Sequence, residues 1–186
     1  MAAQISMASG DITDGNYYNS AGNQTNLWQY ITASGNDSTY ITTQDQMGGA
    51  QSCTVRLSGV TDPESAVGHR IEFSIKDDTG SSAVGFTAKL RDSDGTLRST
   101  SPSFSYSSFD GSFEKVGWTL STANANAISS AGYAAGLRLE FITDDGMGMM
   151  SNSFIGWASL QVPEAPSPDP PAATQNGSAF MLFLDI

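Results

Sequence analysis

HRIEFSIK, residues 69–76, decides the fold. Ile71, Phe73 and Ile75 alternate with Arg70, Glu72, Ser74 and Lys76. A strict period of two puts the first set on one face of a β-strand and the second on the other. The pattern repeats on both sides of this stretch. Upstream, Cys53, Val55 and Leu57 alternate with Thr54, Arg56 and Ser58. Downstream, Phe86, Ala88 and Leu90 alternate with Thr87, Lys89 and Arg91, and Val116, Trp118 and Leu120 with Lys115, Gly117 and Thr119. Leu137, Leu139 and Phe141 then face away from Arg138 and Glu140. SFIGWASLQV, residues 153–162, is apolar on nearly both faces, as a central strand must be. Half-buried antiparallel strands read this way, one face on a core and the other free for solvent or a partner.

The connecting segments agree. DSDG (92–95) has hairpin-turn composition, and TDPES (61–65) and DDTGSS (77–82) are loops. STANANAISSAGYAAG (121–136) breaks the alternation, and its alanines predict one short helix opening near Ser121 or Thr122. In the N-terminal third, LWQYI (27–31) and STYITT (38–43) read as further strands. The total is about eight or nine strands. The expected architecture is an all-β, antiparallel two-sheet β-sandwich over residues 1–162, with a jelly roll ahead of an immunoglobulin-like arrangement.

Composition narrows the function classes. Charged residues make up 15 %, and 19 acidic residues against 8 basic ones give a net charge of −11. No Lys or Arg precedes Arg56 or follows Arg138. Such a chain repels phosphate backbones, so direct nucleic-acid binding is not expected, whereas docking to basic protein surfaces is favoured. A single cysteine, Cys53, cannot build an internal disulfide framework. The N-terminal residues lack a signal-peptide pattern and nothing approaches a membrane span, so synthesis in a cytoplasm and no membrane partner are expected.

After Val162 the texture changes. Residues 163–177 form a Pro-rich linker with Pro166, Pro168, Pro170 and Pro171, extended in the polyproline manner and able to span about 45 Å. Residues 178–186, SAFMLFLDI, follow as an apolar docking segment carrying Phe180, Met181, Leu182, Phe183 and Leu184. An apolar end calls for cover. Either a neighbouring subunit supplies it, or the segment folds back as the last strand of its own sandwich.

No active site stands out. His69, the single histidine, precedes a strand and reads as structural, and Cys53 faces inward as an inert thiol. Asp11, Asp14, the pairs Asp77–Asp78 and Asp144–Asp145, and Asp92 with Asp94 are eligible calcium ligands without the full loop spacing. No cofactor or metal is expected. Glu72, Glu114 and Glu140 are the carboxylates a glycanase would have to use, but no motif singles out a pair. The aromatics Tyr17, Tyr18, Trp28, Tyr30 and Tyr40 cluster among amides and hydroxyls, so Trp28 and Tyr40 are candidate glycan contacts, set against a core role for Trp28, Trp118 and Trp157. Met147, Met149 and Met150 form a soft apolar loop, either a partner contact or a hairpin tip.

The series LWQYI, NDSTYI, TVRLSGVTDP, GHRIEFSIK, WTLSTANANAI, GLRLEF and FIGWASLQVPEAP resembles the jelly-roll capsid decoration (cement) proteins of tailed bacteriophages and related minor virion β-sandwich proteins. The likeness is one of hydrophobic spacing and covers about residues 10–163. It implies a non-enzymatic structural protein, a homotrimer bound to the major capsid protein on the outer capsid surface of the virion. The C-terminal arm would clasp a neighbour and bridge capsomers. The alternative is a carbohydrate- or host-receptor-binding module of a phage tail or fibre.

Overall fold

In the computed structural model, residues 3–32, 37–43, 50–77, 85–105, 112–144 and 152–166 are described. They hold eleven strands: β1 (Gln4–Thr13), β2 (Tyr17–Asn19), β3 (Ile41–Thr43), β4 (Gln51–Leu57), β5 (Arg70–Asp77), β6 (Gly85–Arg91), β7 (Leu97–Thr100), β8 (Phe104–Ser105), β9 (Glu114–Thr119), β10 (Arg138–Asp144) and β11 (Ser153–Val162). A 3-10 helix spans Leu27–Tyr30, and two α-helices, α1 (Thr122–Asn126) and α2 (Ser130–Ala135), follow β9.

All described pairings are antiparallel, and they make two layers. In the first sheet β11 is central. β5 and then β9 lie on one side of it; β3 with β2, and the first half of β1, lie on the other. In the second sheet β4 pairs the second half of β1, then β10, then β6, with β7 and β8 on the far side of β6. β1 leaves one sheet for the other midway. Bulges between Ala8 and Gly10 and between Asp11 and Thr13 supply the bend. Ile31 fills the gap it leaves, accepting a hydrogen bond from Ala158 N at 3.2 Å.

The alternation places the core as expected. Cys53, Val55, Leu57, Ile71, Phe73, Ile75, Phe86, Ala88, Leu90, Leu139, Phe141, Ile155, Ala158 and Leu160 are buried in one cluster between the sheets. Phe73 is its hub, with Phe86, Phe104, Trp118 and Phe141 rings at 5.4–6.2 Å. Trp118 also crosses the core, its Nε1 donating to Ser99 Oγ at 3.0 Å, which satisfies the one polar atom of the indole. The fold is therefore an antiparallel β-sandwich of jelly-roll type.

Four sequence expectations change. The described residues hold eleven strands rather than eight or nine, since β1, β2 and β8 add to those the alternation marks. LWQYI is a 3-10 helix, because the Asp11 carboxylate accepts from Leu27 N and Trp28 N, both at 2.9 Å, and Asn26 turns left-handed before it (φ 57°). STYITT is a strand from Ile41 onward. The alanine-rich segment makes two helices because it holds two serine caps, Ser121 accepting from Asn124 N and Ser129 from Gly132 N. No helix among the described residues is long and apolar enough to cross a membrane.

Candidate functional site

The outer face of the first sheet differs from an ordinary solvated face. β5 presents Arg70, Glu72, Ser74 and Lys76 to it, yet Glu72 and Ser74 are buried. Their cover comes from neighbouring strands and loops. Glu72 sits under three donors: Arg70 Nε at 2.7 Å, Lys115 Nζ at 2.8 Å and Gln161 Nε2 at 2.8 Å. Burial pushes its carboxyl up, but the hydrogen bonds from Lys115 and Arg70 outweigh this and hold it below the usual carboxylate range. Ser74 Oγ donates to Asp37 Oδ1 at 2.7 Å. Gly156 makes room for that pair: a side chain there would meet Ser74 Oγ at 2.6 Å and Phe113 at 3.1 Å.

Beside the polar track lies a group of rings that does not belong to the core. The register sets Phe154 of β11 opposite Lys76 of β5 and Thr42 of β3. The Tyr40 and Phe154 rings meet edge-on at 5.2 Å, and Phe113 lies 6.3 Å from Tyr40. The Lys76 ammonium stands 4.8 Å from the Phe113 and Phe154 centroids and 5.6 Å from that of Tyr40. Such contacts contribute about 0.5–2 kcal/mol each, according to desolvation. All three rings are half-buried. Trp157, opposite Ser74, is 4 % exposed yet stands apart from the core cluster, with Lys115 Nζ 5.7 Å above its ring. It forms the floor of the face; Tyr40, Phe113 and Phe154 form its accessible wall.

Of the two candidate glycan contacts, Tyr40 lies in this wall. Trp28 lies on the 3-10 helix, partly buried against the core. Phe113, Phe154, Lys76 and Ser74 carried no sequence signal for a site, because cross-strand register brings them together. The glycanase carboxylates are not assembled. Glu72 is on β5 of the first sheet, Glu114 opens β9 at its edge, and Glu140 is on β10 of the second sheet, paired with Arg91 at 2.7 Å.

The other candidates have structural duties. Cys53 is buried, and burial first, then Asp11, Glu140 and Asp14, push its thiol well up. His69 is fully buried, its Nε2 2.6 Å from Tyr133 Oη, which ties the start of β5 to α2. Asp11 caps the 3-10 helix, Asp92 pairs with Arg98, and Asp94 accepts from Thr96 N at 2.8 Å. Among the described residues no group of three or more His, Cys, Asp or Glu side chains is placed to hold a metal ion. Asp78, Asp145, Met147, Met149, Met150, Pro168, Pro170, Pro171, Phe180, Met181, Leu182, Phe183 and Leu184 lie outside the described residues, as do the side chains of Asp77 and Asp144. Pro166 is exposed.

The chain matches no family model and no curated protein sequence. Among solved structures it is similar to a xylan-binding module, CBM15, at 8 % identity over 89 % of this chain and 100 % of that one, with a TM-score of 0.52. It is also similar to the arabinose-bound α-L-arabinofuranosidase MgGH51, at 13 % identity over 66 % of this chain and 19 % of that one, TM-score 0.43. A third is the enzymatically active domain of tailspike protein 4 of bacteriophage CBA120, at 10 % identity over 86 % of this chain and 19 % of that one, TM-score 0.39. The first likeness supports the β-sandwich of jelly-roll type and nothing finer, and the two weaker ones add nothing to it.

Proposed function

We propose that the chain is a carbohydrate-binding β-sandwich module whose ligand lies across the outer face of the first sheet. One observation carries the reading: Tyr40, Phe113 and Phe154 stand outside the core beside Asp37, Ser74 and Lys76. Rings of this kind stack on the apolar faces of pyranoses, and the neighbouring carboxylate, hydroxyl and ammonium groups bond sugar hydroxyls. Arg70, Lys115 and Gln161 extend the donor set along the strands. The fold it shares with a xylan-binding module supports the choice of xylan as the first probe.

Affinity electrophoresis through gels containing xylan, mannan or galactan tests this. Retardation by at least one polymer is expected, with a loss of about tenfold in affinity for Tyr40→Ala or Phe154→Ala. Unretarded migration through all three refutes it.

A second reading, a homotrimeric capsid decoration protein on the outer surface of a virion, is favoured by the Pro-rich segment and the apolar run at 178–186. It expects light scattering to report a trimer for the full chain and loss of self-association, or of binding to a major capsid protein, on deleting residues 167–186. An unaltered assembly state in the truncated chain argues against it.

A further inference from the structure

We propose a second binding surface, on the outer face of the other sheet, for an acidic polysaccharide. Its centre is a row of three arginines. The register sets Arg56 of β4 opposite Arg138 of β10, and Arg138 opposite Arg91 of β6. With neighbouring strands about 4.8 Å apart, three guanidinium stems stand within about 10 Å. The adjacent row reads Thr54, Glu140, Lys89 and Thr100, and the next Ser52, Ile142 and Thr87.

Charge makes the arrangement unusual. The chain has 8 basic residues and a net charge of −11, yet in these three rows Arg56, Arg91, Arg138 and Lys89 stand with one acid, Glu140. Like charges directly opposite one another on a sheet are unfavourable, so an anion laid across the row is stabilised by all three. Internal bonds use part of the donor capacity. Arg91 Nε binds Glu140 and its Nη1 donates to Gly95 O at 3.1 Å, while Arg138 Nη2 donates to Ser93 O. These contacts hold the turn between β6 and β7. A guanidinium has five N–H donors, so both arginines keep donors beyond these, although Arg138 Nε is buried and is not one that a ligand can reach. Arg56 is exposed, and its neighbour across the ladder on β1 is Gly10, which leaves its flank open.

The chemistry of the rows selects the ligand. Hydroxyls of Ser52, Thr54, Thr87 and Thr100 accompany the cations, and the three rows carry no aromatic ring. Protein hot spots are enriched in Trp and Tyr, and single-stranded nucleic acids call for stacking rings; the apolar side chains here are only Ile142 and, opposite Arg91, the exposed Leu97. Carboxylates spaced along a polyhydroxylated chain match both the arginines and the hydroxyls, bidentately at the guanidinium. The polymer class rests on the carbohydrate-binding reading, although the face is a different one.

Isothermal titration of the full chain with polygalacturonate and, separately, with neutral xylan tests the inference. Polygalacturonate binding is expected, weakened as salt rises to physiological strength. Arg56→Gln, at an exposed position, is expected to lower it about tenfold and to leave xylan binding unchanged; Lys89→Gln should lower it in the same direction. Xylan binding without polygalacturonate binding overturns this surface and spares the first. Unchanged polygalacturonate affinity in both variants, or tighter binding to a DNA duplex, also overturns it. Binding to neither polysaccharide overturns this surface, while the first reading falls only if xylan, mannan and galactan all fail to bind.

Discussion

His69 shows how a residue's surroundings set a pH response. Burial holds its pKa below the ordinary 6.5, against an upward pull from Asp62. The unfolded chain therefore takes up a proton that the folded chain resists, so this contribution to stability is complete above pH 6.5 and is lost as pH falls through the lowered value. Urea midpoints should drop between pH 7 and pH 5, and His69→Gln should flatten that drop; equal slopes in both proteins would contradict it. Its partner Tyr133 is pushed up by burial to about 12, so the complementary loss appears as pH rises from about 10, where the unfolded phenol ionises first. Gly136 makes a steric prediction. Its φ is +81°, and a side chain there would run into the Leu57 carbonyl. Gly136→Ala should cost about 1–3 kcal/mol in chemical denaturation. Gly156→Ala acts elsewhere: it crowds Ser74, Asp37 and Phe113, so it should weaken sugar retention while the fold persists.

Elements were legible where one face alone is buried. From Cys53 to Leu57 and from Phe86 to Leu90 every second residue enters the core, and a period of two records that directly. β1 escaped notice because it changes sheets: after Ala8 its burial no longer alternates, and two bulges shift its register. The 3-10 helix escaped for another reason. Trp28 and Tyr30 alternate like strand residues, and what overrides them is a carboxylate on β1, sixteen residues before Leu27, that binds two consecutive N–H groups. Asp11→Ala leaves both donors without that acceptor. It should cost about 1–2 kcal/mol, as the loss of a helix cap does, measured by urea unfolding. A cost near zero would mean that the helix does not depend on this cap.

At the scale of the molecule, the two layers display two chemistries back to back, rings with mixed charge on one face and an arginine row on the other. Tyr40 was readable as a candidate contact because it stands among polar residues. Its partners Phe113, Phe154 and Lys76 were not, since each belongs to a different stretch of chain and the sheet register alone makes them neighbours. Glu72 looked like a free carboxylate for the same reason; three donors from two other strands and its own occupy it. The most direct test is a titration of the isotope-labelled protein with an oligosaccharide of whichever polymer (xylan, mannan or galactan) retards it, followed by NMR. Saturable shifts are predicted at the Ser74, Lys76 and Phe154 amides and the Trp157 indole, while the core indole of Trp118 stays still. Shifts confined to the helix carrying Trp28, or none at any saccharide concentration, would contradict the account.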